Sequence, residues 1–294
     1  MQKKTLCQRG LLCLKEHGFF WCAKQRVGLL KEKLGNLYKY GTFDMFNNRI
    51  CIETITACNR KCYYCPNSIY DRGLIKNLKK MDTDLFYKII DELAELKWNG
   101  EVAPIRYGEP LLDDRMPVLI KYTRDKLPNS RIHLYTNGDL LTVDLYKKLI
   151  RAGVNVFAVT KHPGGEHENV EKVILYRSSY GNNGVEVRYD TLTNIFNRGG
   201  MVEVSEEIDK TDRCRDQLQQ VIVDYAGNIV FCCNDYFTSL ELGNIRTEKL
   251  IDIWKKPFYK QLRKDIKNGI YKLDICKKCK VGRPLSLSKD GVAD

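Results

Sequence analysis

Apolar positions between residues 49 and 189 alternate between two spacings. Short β-branched or apolar runs at residues 49–56, 101–107, 131–136, 154–160 and 184–189 have the length and composition of buried strands. Between them, apolar residues recur every three or four positions. The clearest such segment is 81–98, where Leu85, Phe86, Ile89, Ile90, Leu93 and Leu96 form one helical stripe behind a start signal at Asp82 or Thr83. Residues 114–126, 142–152 and 166–178 repeat the pattern. Strands separated by helices of this length predict parallel βαβ units, and hence an α/β fold. Further on, residues 219–224 and 229–232 flank the turn Tyr225-Ala226-Gly227-Asn228, which predicts a β-hairpin.

Composition narrows the class. With 294 residues, 43% hydrophobic and 29% charged, the chain can bury a sizeable core, which excludes a disordered chain and a small disulfide-stapled scaffold. Two totals stand out, a net charge of +12 and 12 cysteines. The charge sits at the ends: residues 1–50 carry +7 and residues 255–280 carry +8, while residues 51–254 sum to −3. The body is therefore not a basic domain, and no nucleic-acid module signature accompanies the charge. The basic ends suit either solvated helix faces or a landing surface for an acidic partner. No apolar run approaches the roughly 18–20 residues of a membrane-spanning helix. Arg9, Lys15, Glu16 and Lys24 break up the apolar clusters of the first 24 residues, so no signal-peptide core is read there and a cytoplasmic location is expected.

In a reducing compartment, clustered cysteines point to metal or redox chemistry. Cys58, Cys62 and Cys65 form a C-x3-C-x2-C pattern with no fourth Cys or His nearby. Structural zinc sites and iron–sulfur clusters are normally held by four protein ligands. Three on one short loop therefore predict a four-iron cluster with one iron left to another ligand; Arg60 and Lys61 would offset its negative charge. Cys214, Cys232, Cys276 and Cys279 supply a complete set of four, which spacing alone allows to hold zinc or a cluster. Cys233 is a spare thiol beside Cys232, and Cys7, Cys13, Cys22 and Cys51 are left over.

The 58–65 segment, with Tyr64 just before its last cysteine, resembles the C-x3-C-x-Φ-C motif of radical S-adenosylmethionine (radical SAM) enzymes. Tyr107-Gly108-Glu109-Pro110 is similar to the family's Gly-Gly-Glu-Pro segment, with Tyr107 in place of the first glycine, and Thr136-Asn137-Gly138 resembles its third strand end. Cys214, Asp224, Gly227 and Cys232, then Leu242-Gly243-Asn244-Ile245, Ile253-Trp254 and Cys276-x2-Cys279, resemble the twitch half of a SPASM domain. Together these landmarks span residues 48–280. The resemblance implies a partial (β/α)6 barrel over residues 46–205 and a small C-terminal α+β auxiliary-cluster domain over 206–284. A basic extension, 1–45, would precede them and a tail, 285–294, would follow.

It also implies roles. Cys58, Cys62 and Cys65 would hold a [4Fe-4S] cluster whose fourth iron is chelated by SAM. Gly108 and Glu109 would receive the methionine ammonium, Thr136 and Asn137 the ribose, and Arg188 the carboxylate, with Tyr64 near the adenine. Cys214, Cys232, Cys276 and Cys279 would hold an auxiliary [4Fe-4S] cluster with no open position, suited to accept an electron. That favours oxidation of a radical on a polar substrate, most simply dehydrogenation of a sugar, an aminocyclitol or a peptide side chain, with cross-link formation by a ribosomal-peptide-modifying maturase as an alternative. The short C-terminal part resembles aminocyclitol dehydrogenases and sugar epimerases more than peptide maturases. Cys233 as a hydrogen donor would make the enzyme an epimerase; the alternative is a packing cysteine. A flavodoxin- or ferredoxin-like electron donor is implied as partner. His162 and the Asn197-Arg198-Gly199-Gly200 loop are candidates for the substrate pocket. The competing class is a zinc-binding, nucleic-acid-binding protein that uses the basic ends.

Overall fold

The computed structural model describes residues 24–279 apart from 25–26, 29, 32, 38–44, 47, 163–166, 182–183, 192–196, 204–213 and 215. The chain divides into two units, Met1–Met45 and Phe46–Asp294. In the first, the described residues between 24 and 37 are helical; Cys7, Cys13 and Cys22 lie outside the described residues. Among those described, no helix is long and apolar enough to cross a membrane.

The second unit alternates as its hydrophobic pattern predicts. In order come β1 (Arg49–Ile52), α1 (Thr83–Glu95), β2 (Glu101–Ala103), α2 (Met116–Lys126), β3 (Arg131–Thr136) and α3 (Val143–Ala152). There follow β4 (Val156–Lys161), α4 (Glu168–Tyr180), β5 (Glu186–Thr191), α5 (Asp216–Gln219), β6 (Gln220–Val223) and β7 (Ile229–Val230). The helices α6 (Leu250–Lys255), α7 (Pro257–Lys267) and α8 (Asp274–Lys278) complete it.

One seven-stranded sheet runs in the order β5-β4-β3-β2-β1-β6-β7. Six strands are parallel, and only the β6–β7 hairpin pair is antiparallel. The sixth parallel strand, β6, therefore comes from the hairpin that the sequence reading assigned to the C-terminal domain. It pairs with β1 over Arg49↔Gln220 to Ile52↔Val223, on the side away from β2. This gives β1, whose Ile50 and Ile52 are fully buried, a hydrogen-bonding partner along both edges.

Two strands end earlier than their apolar runs. Pro104 follows β2 and cannot donate to a ladder, and Ile105 N bonds back to Ala103 O at 2.8 Å, turning the chain. After β1, residues 53–56 remain buried, but Met81 N donates to Thr54 O at 2.9 Å and Thr56 N to Lys79 O at 3.0 Å. The predicted stripe of α1 is buried at Leu85, Phe86, Ile89, Ile90 and Leu93. Asp82 stands at its N-cap without a side-chain capping bond; its carboxylate binds Arg246 instead.

The main core lies between sheet and helices, with Ile132, Leu134, Phe157 and Val159 packed on Tyr146, Leu149, Val170 and Val173. On the opposite face Cys51, Ala103, Ile222 and Val230 line the inside of the curved sheet. Trp254 packs edge-on to Phe46 at 5.2 Å and Tyr259 at 5.1 Å, fixing α6 and α7 beside the start of β1. Leu149 is completely buried in the main core. Replacing it by alanine should lower stability by about 2–5 kcal/mol, measured as a lower urea midpoint with an unchanged slope.

Candidate active site

The site forms where the strands end. Past β1 the chain is held extended, and Cys58 N donates to Gly73 O at 3.0 Å. Arg60 N then turns back onto Cys58 Sγ at 3.4 Å, and Cys65 N closes a turn on Cys62 O at 2.9 Å. Pro66 opens a single 3-10 turn, Pro66–Ser68, which ends the cysteine loop. The Arg60 guanidinium clasps both carboxylate oxygens of Asp139, just past β3, with Nε to Oδ2 at 2.6 Å. Asn59 Nδ2 joins the same Oδ2 at 2.8 Å. Nothing in the motif announced this clasp, because its partners lie far apart in sequence.

Glu109 is the second element. It is 3% exposed, yet its carboxylate accepts from Thr136 Oγ1 at 2.6 Å, Asn137 N at 2.9 Å and Leu111 N at 3.1 Å. Burial pushes its pKa up to about 7 against those three donors. Gly108 allows the backbone to come this close, since a Cβ there would stand 2.1 Å from Ile55 O. Thr136 and Asn137 are both near the cysteines but are already engaged. The Thr136 hydroxyl serves Glu109, and Asn137 Nδ2 donates to Asn59 Oδ1 at 2.8 Å and approaches Cys58 Sγ at 3.9 Å. Burial also pushes the Cys58 thiol up to about 12, opposed by the Arg60 N–H.

Tyr64 is buried; its phenol bonds His162 Nδ1 at the end of β4 and the two rings stack at 6.0 Å. Arg188 corrects the sequence expectation. It is exposed on β5 and bound to Glu186, two residues away on the same strand face, with Nε–Oε1 at 2.6 Å. It does not line the cavity at the cysteine loop.

That cavity, of about 360 Å³, is lined by Cys58, Cys62, Cys65 and Glu109 and also by Tyr107, Arg198 and Cys233. The phenol oxygen of Tyr107 is buried with no hydrogen-bond partner among the described residues. Cys233 is exposed, whereas Cys232 beside it is buried. The Cys233 thiol, then burial and the nearby Cys214 thiol, push Cys232 well up. Asn234 brings Cys232 and Cys279 together, donating from N to Cys232 Sγ at 3.4 Å and from Nδ2 to Cys279 Sγ at 3.5 Å. Cys276 sits on α8, three residues before Cys279.

These donor sets fit iron–sulfur clusters. Three thiols on one loop leave one iron position open, and four thiols from the C-terminal half can close a second cluster. Among the described residues no three Cys, His, Asp or Glu side chains converge around a single ion. Thiols arranged around a four-iron body need not, because it holds its ligand sulfurs farther apart than one ion does.

Residues 52–204 match the model of the radical SAM superfamily, and residues 214–280 match SPASM, an iron–sulfur cluster-binding domain. The chain belongs to the radical SAM superfamily. It is a radical SAM enzyme that uses SAM, a [4Fe-4S] cluster and an auxiliary iron–sulfur cluster domain. It is 31% identical over 240 residues to the S-adenosyl-L-methionine-dependent 2-deoxy-scyllo-inosamine dehydrogenase of Niallia circulans, covering 80% of this chain and 94% of that protein. The crystal structure of BtrN in complex with AdoMet and 2-DOIA superposes with a TM-score of 0.70 at 30% identity, covering 80% of this chain and 93% of that one. A tungsten-containing aldehyde ferredoxin oxidoreductase cofactor-modifying protein of Pyrococcus furiosus is 24% identical over 155 residues, 46% of this chain and 42% of that protein.

Glu109 has a pH signature of its own. Its folded pKa of about 7 lies above the ordinary 4.5, so the folded chain binds the extra proton. Its contribution to stability is complete below pH 4.5 and is lost as pH rises to 7. Without SAM, Glu109→Gln should therefore gain stability relative to the parent between pH 4.5 and 7. Urea titrations of both proteins across that window measure the difference; a constant difference would contradict the assignment.

Proposed function

We propose that this enzyme oxidises a secondary alcohol of a small, polar, amino- or hydroxyl-bearing ring, an aminocyclitol or amino sugar, to the ketone. The observation that carries the reading is that one cavity is bounded both by the open cysteine triad and by Cys233, the neighbour of Cys232 in the closed set. Likeness to a 2-deoxy-scyllo-inosamine dehydrogenase over most of both chains supports the same substrate class.

When bound, SAM and the first cluster supply a 5′-deoxyadenosyl radical for hydrogen abstraction, and the auxiliary cluster supplies an electron acceptor. The balance is then complete. The substrate would lose a hydrogen atom, a proton and one electron to become the ketone, the hydrogen atom going to the 5′-deoxyadenosyl group of bound SAM and the electron to a cluster held by Cys214, Cys232, Cys276 and Cys279.

The chain's own residues do the positioning. Cys58, Cys62 and Cys65 hold the first cluster; Cys214, Cys232, Cys276 and Cys279 hold the second. In this reading the buried Glu109 carboxylate takes the methionine ammonium, with Gly108 giving access and Thr136 and Asn137 orienting the carboxylate rather than touching ribose. Tyr64, braced by His162, flanks the adenine. The unpartnered Tyr107 phenol and the Arg198 guanidinium face the substrate. The division at residues 45, 205 and 284, a reducing cytoplasmic setting and a flavodoxin- or ferredoxin-like reductant belong to the same reading.

A second reading rests on Cys233. Its exposed thiol borders the same cavity, where it could return a hydrogen atom to the substrate radical and so epimerise a carbon. One experiment separates the two. Anaerobic protein with SAM, dithionite and 2-deoxy-scyllo-inosamine should form 5′-deoxyadenosine together with a product two hydrogens lighter. Cys233→Ala should retain that turnover. A product of unchanged mass that takes up deuterium from heavy water, lost in Cys233→Ala, would replace oxidation by epimerisation.

A further inference from the structure

Asn234 stands between two of the four cysteines proposed to hold the auxiliary cluster, and it is 5% exposed. Its backbone N–H points at Cys232 Sγ and its side-chain amide at Cys279 Sγ, at 3.4 and 3.5 Å. Cys279 Sγ is the acceptor that this amide finds among the described residues.

The conformation is held from both sides. Asp235 N donates to Cys232 O at 2.9 Å and Tyr236 N to Asn234 O at 3.0 Å, which winds the chain into a tight turn. The Asp235 carboxylate then receives Ser239 N and Oγ at 2.9 Å. From the barrel side, Arg106 Nη2 donates to the carbonyls of Asp235 and Tyr236 and to Thr238 Oγ1. These bonds fix the backbone from which the Asn234 amide reaches Cys279.

Reduction adds negative charge that spreads onto the ligand sulfurs. An N–H group aimed at those sulfurs in a buried, low-dielectric setting stabilises the reduced form more than the oxidised form. Hydrogen bonds to cluster sulfurs are among the main determinants of cluster potential.

We propose that Asn234 is a positioning residue that raises the reduction potential of the auxiliary cluster by donating to the sulfurs of Cys232 and Cys279, and thereby eases transfer of the substrate electron to it. The proposal rests on the four-cysteine ligand set. It uses only residues of this chain and is separate from the Glu109 cradle and the Cys233 thiol.

The test is an EPR-monitored redox titration of the holoenzyme. In Asn234→Leu the auxiliary midpoint should shift to more negative potential, with iron content and the SAM-binding cluster's midpoint at parent values. Asn234→Ser, which keeps the backbone donor and a small polar side chain, should shift in the same direction and serves if the leucine variant does not fold. In the parent protein, labelling asparagine with ¹⁵N should change the nitrogen modulation in the pulsed EPR of the reduced auxiliary cluster. Unmoved midpoints in the folded variants, or modulation indifferent to the label, would overturn the proposal. Cys279→Ala distinguishes its failure from that of the ligand set. A parent-like auxiliary EPR spectrum and midpoint in Cys279→Ala would overturn the ligand set. Loss of that variant's auxiliary signal, with the Asn234 midpoints unmoved, would overturn the tuning role alone.

Discussion

The Glu53 carboxylate, wholly buried just past the end of β1, receives on one oxygen Arg72 Nη2 at 2.6 Å, Arg106 Nη1 at 3.2 Å and Tyr225 N at 3.3 Å. These donors come from three separate places: the 3-10 turn Asp71–Gly73 beyond the cysteine loop, the segment after β2, and the turn between β6 and β7. Arg106 extends the link into the 235–238 turn beyond Cys232. A buried carboxylate stripped of its cations costs several kcal/mol, so the four segments are favoured only when assembled together. Both cysteine-bearing loops are thus referred to one charge. A second bond, Tyr236 Oη to Asn67 Oδ1 at 2.8 Å, joins them again, and Asn67 in turn fits against Gly73, where a Cβ would lie 2.2 Å from its side chain.

This arrangement explains why the cavity of the cysteine triad is also bounded by Cys233, next to Cys232. In the proposed oxidation, hydrogen abstraction and electron removal act on one substrate in succession, which calls for two redox groups near one pocket but on separate loops. The pairing of β6 with β1 brings the C-terminal loop to the mouth of the barrel. The Glu53 network then fixes its position, and the Arg60–Asp139 clasp does the same for the cysteine triad on the side of β3. The chemistry itself belongs to the cofactors; the fold contributes geometry, charge and a sheltered volume.

Much of this could be read from residue order, and the reason is chemical. Residues meant to hold a cluster and SAM must occur as particular types at restricted spacings, so the roles proposed for Cys58, Cys62, Cys65 and Glu109 could be read directly. The βαβ alternation was legible because burial imposes a period on every helix and strand. What escaped was set by long-range partners. The place of β6 beside β1 depends on pairing between segments some 170 residues apart in the Glu53–Tyr225 contact, and leaves no local mark. Arg188 looked free to reach a ligand, but Glu186 occupies the same face of β5 and takes it. Asp82 looked like a cap, and Arg246 takes its carboxylate. The Thr136 hydroxyl, expected at a ribose, is needed to satisfy a buried carboxylate. Asn234 carried no motif at all, since an amide beside a cysteine becomes informative only when a second cysteine is folded against it.

The central claim is that an open cysteine triad and a closed cysteine quartet form two distinct clusters, only one of which meets SAM. Anaerobic EPR and iron analysis of the Cys58→Ala/Cys62→Ala/Cys65→Ala protein test it most directly. The account predicts about four irons per chain and a reducible cluster whose spectrum SAM leaves unchanged, against a parent spectrum with an additional, SAM-sensitive component. A variant that holds zinc in place of iron, or whose remaining signal still shifts with SAM, would contradict it.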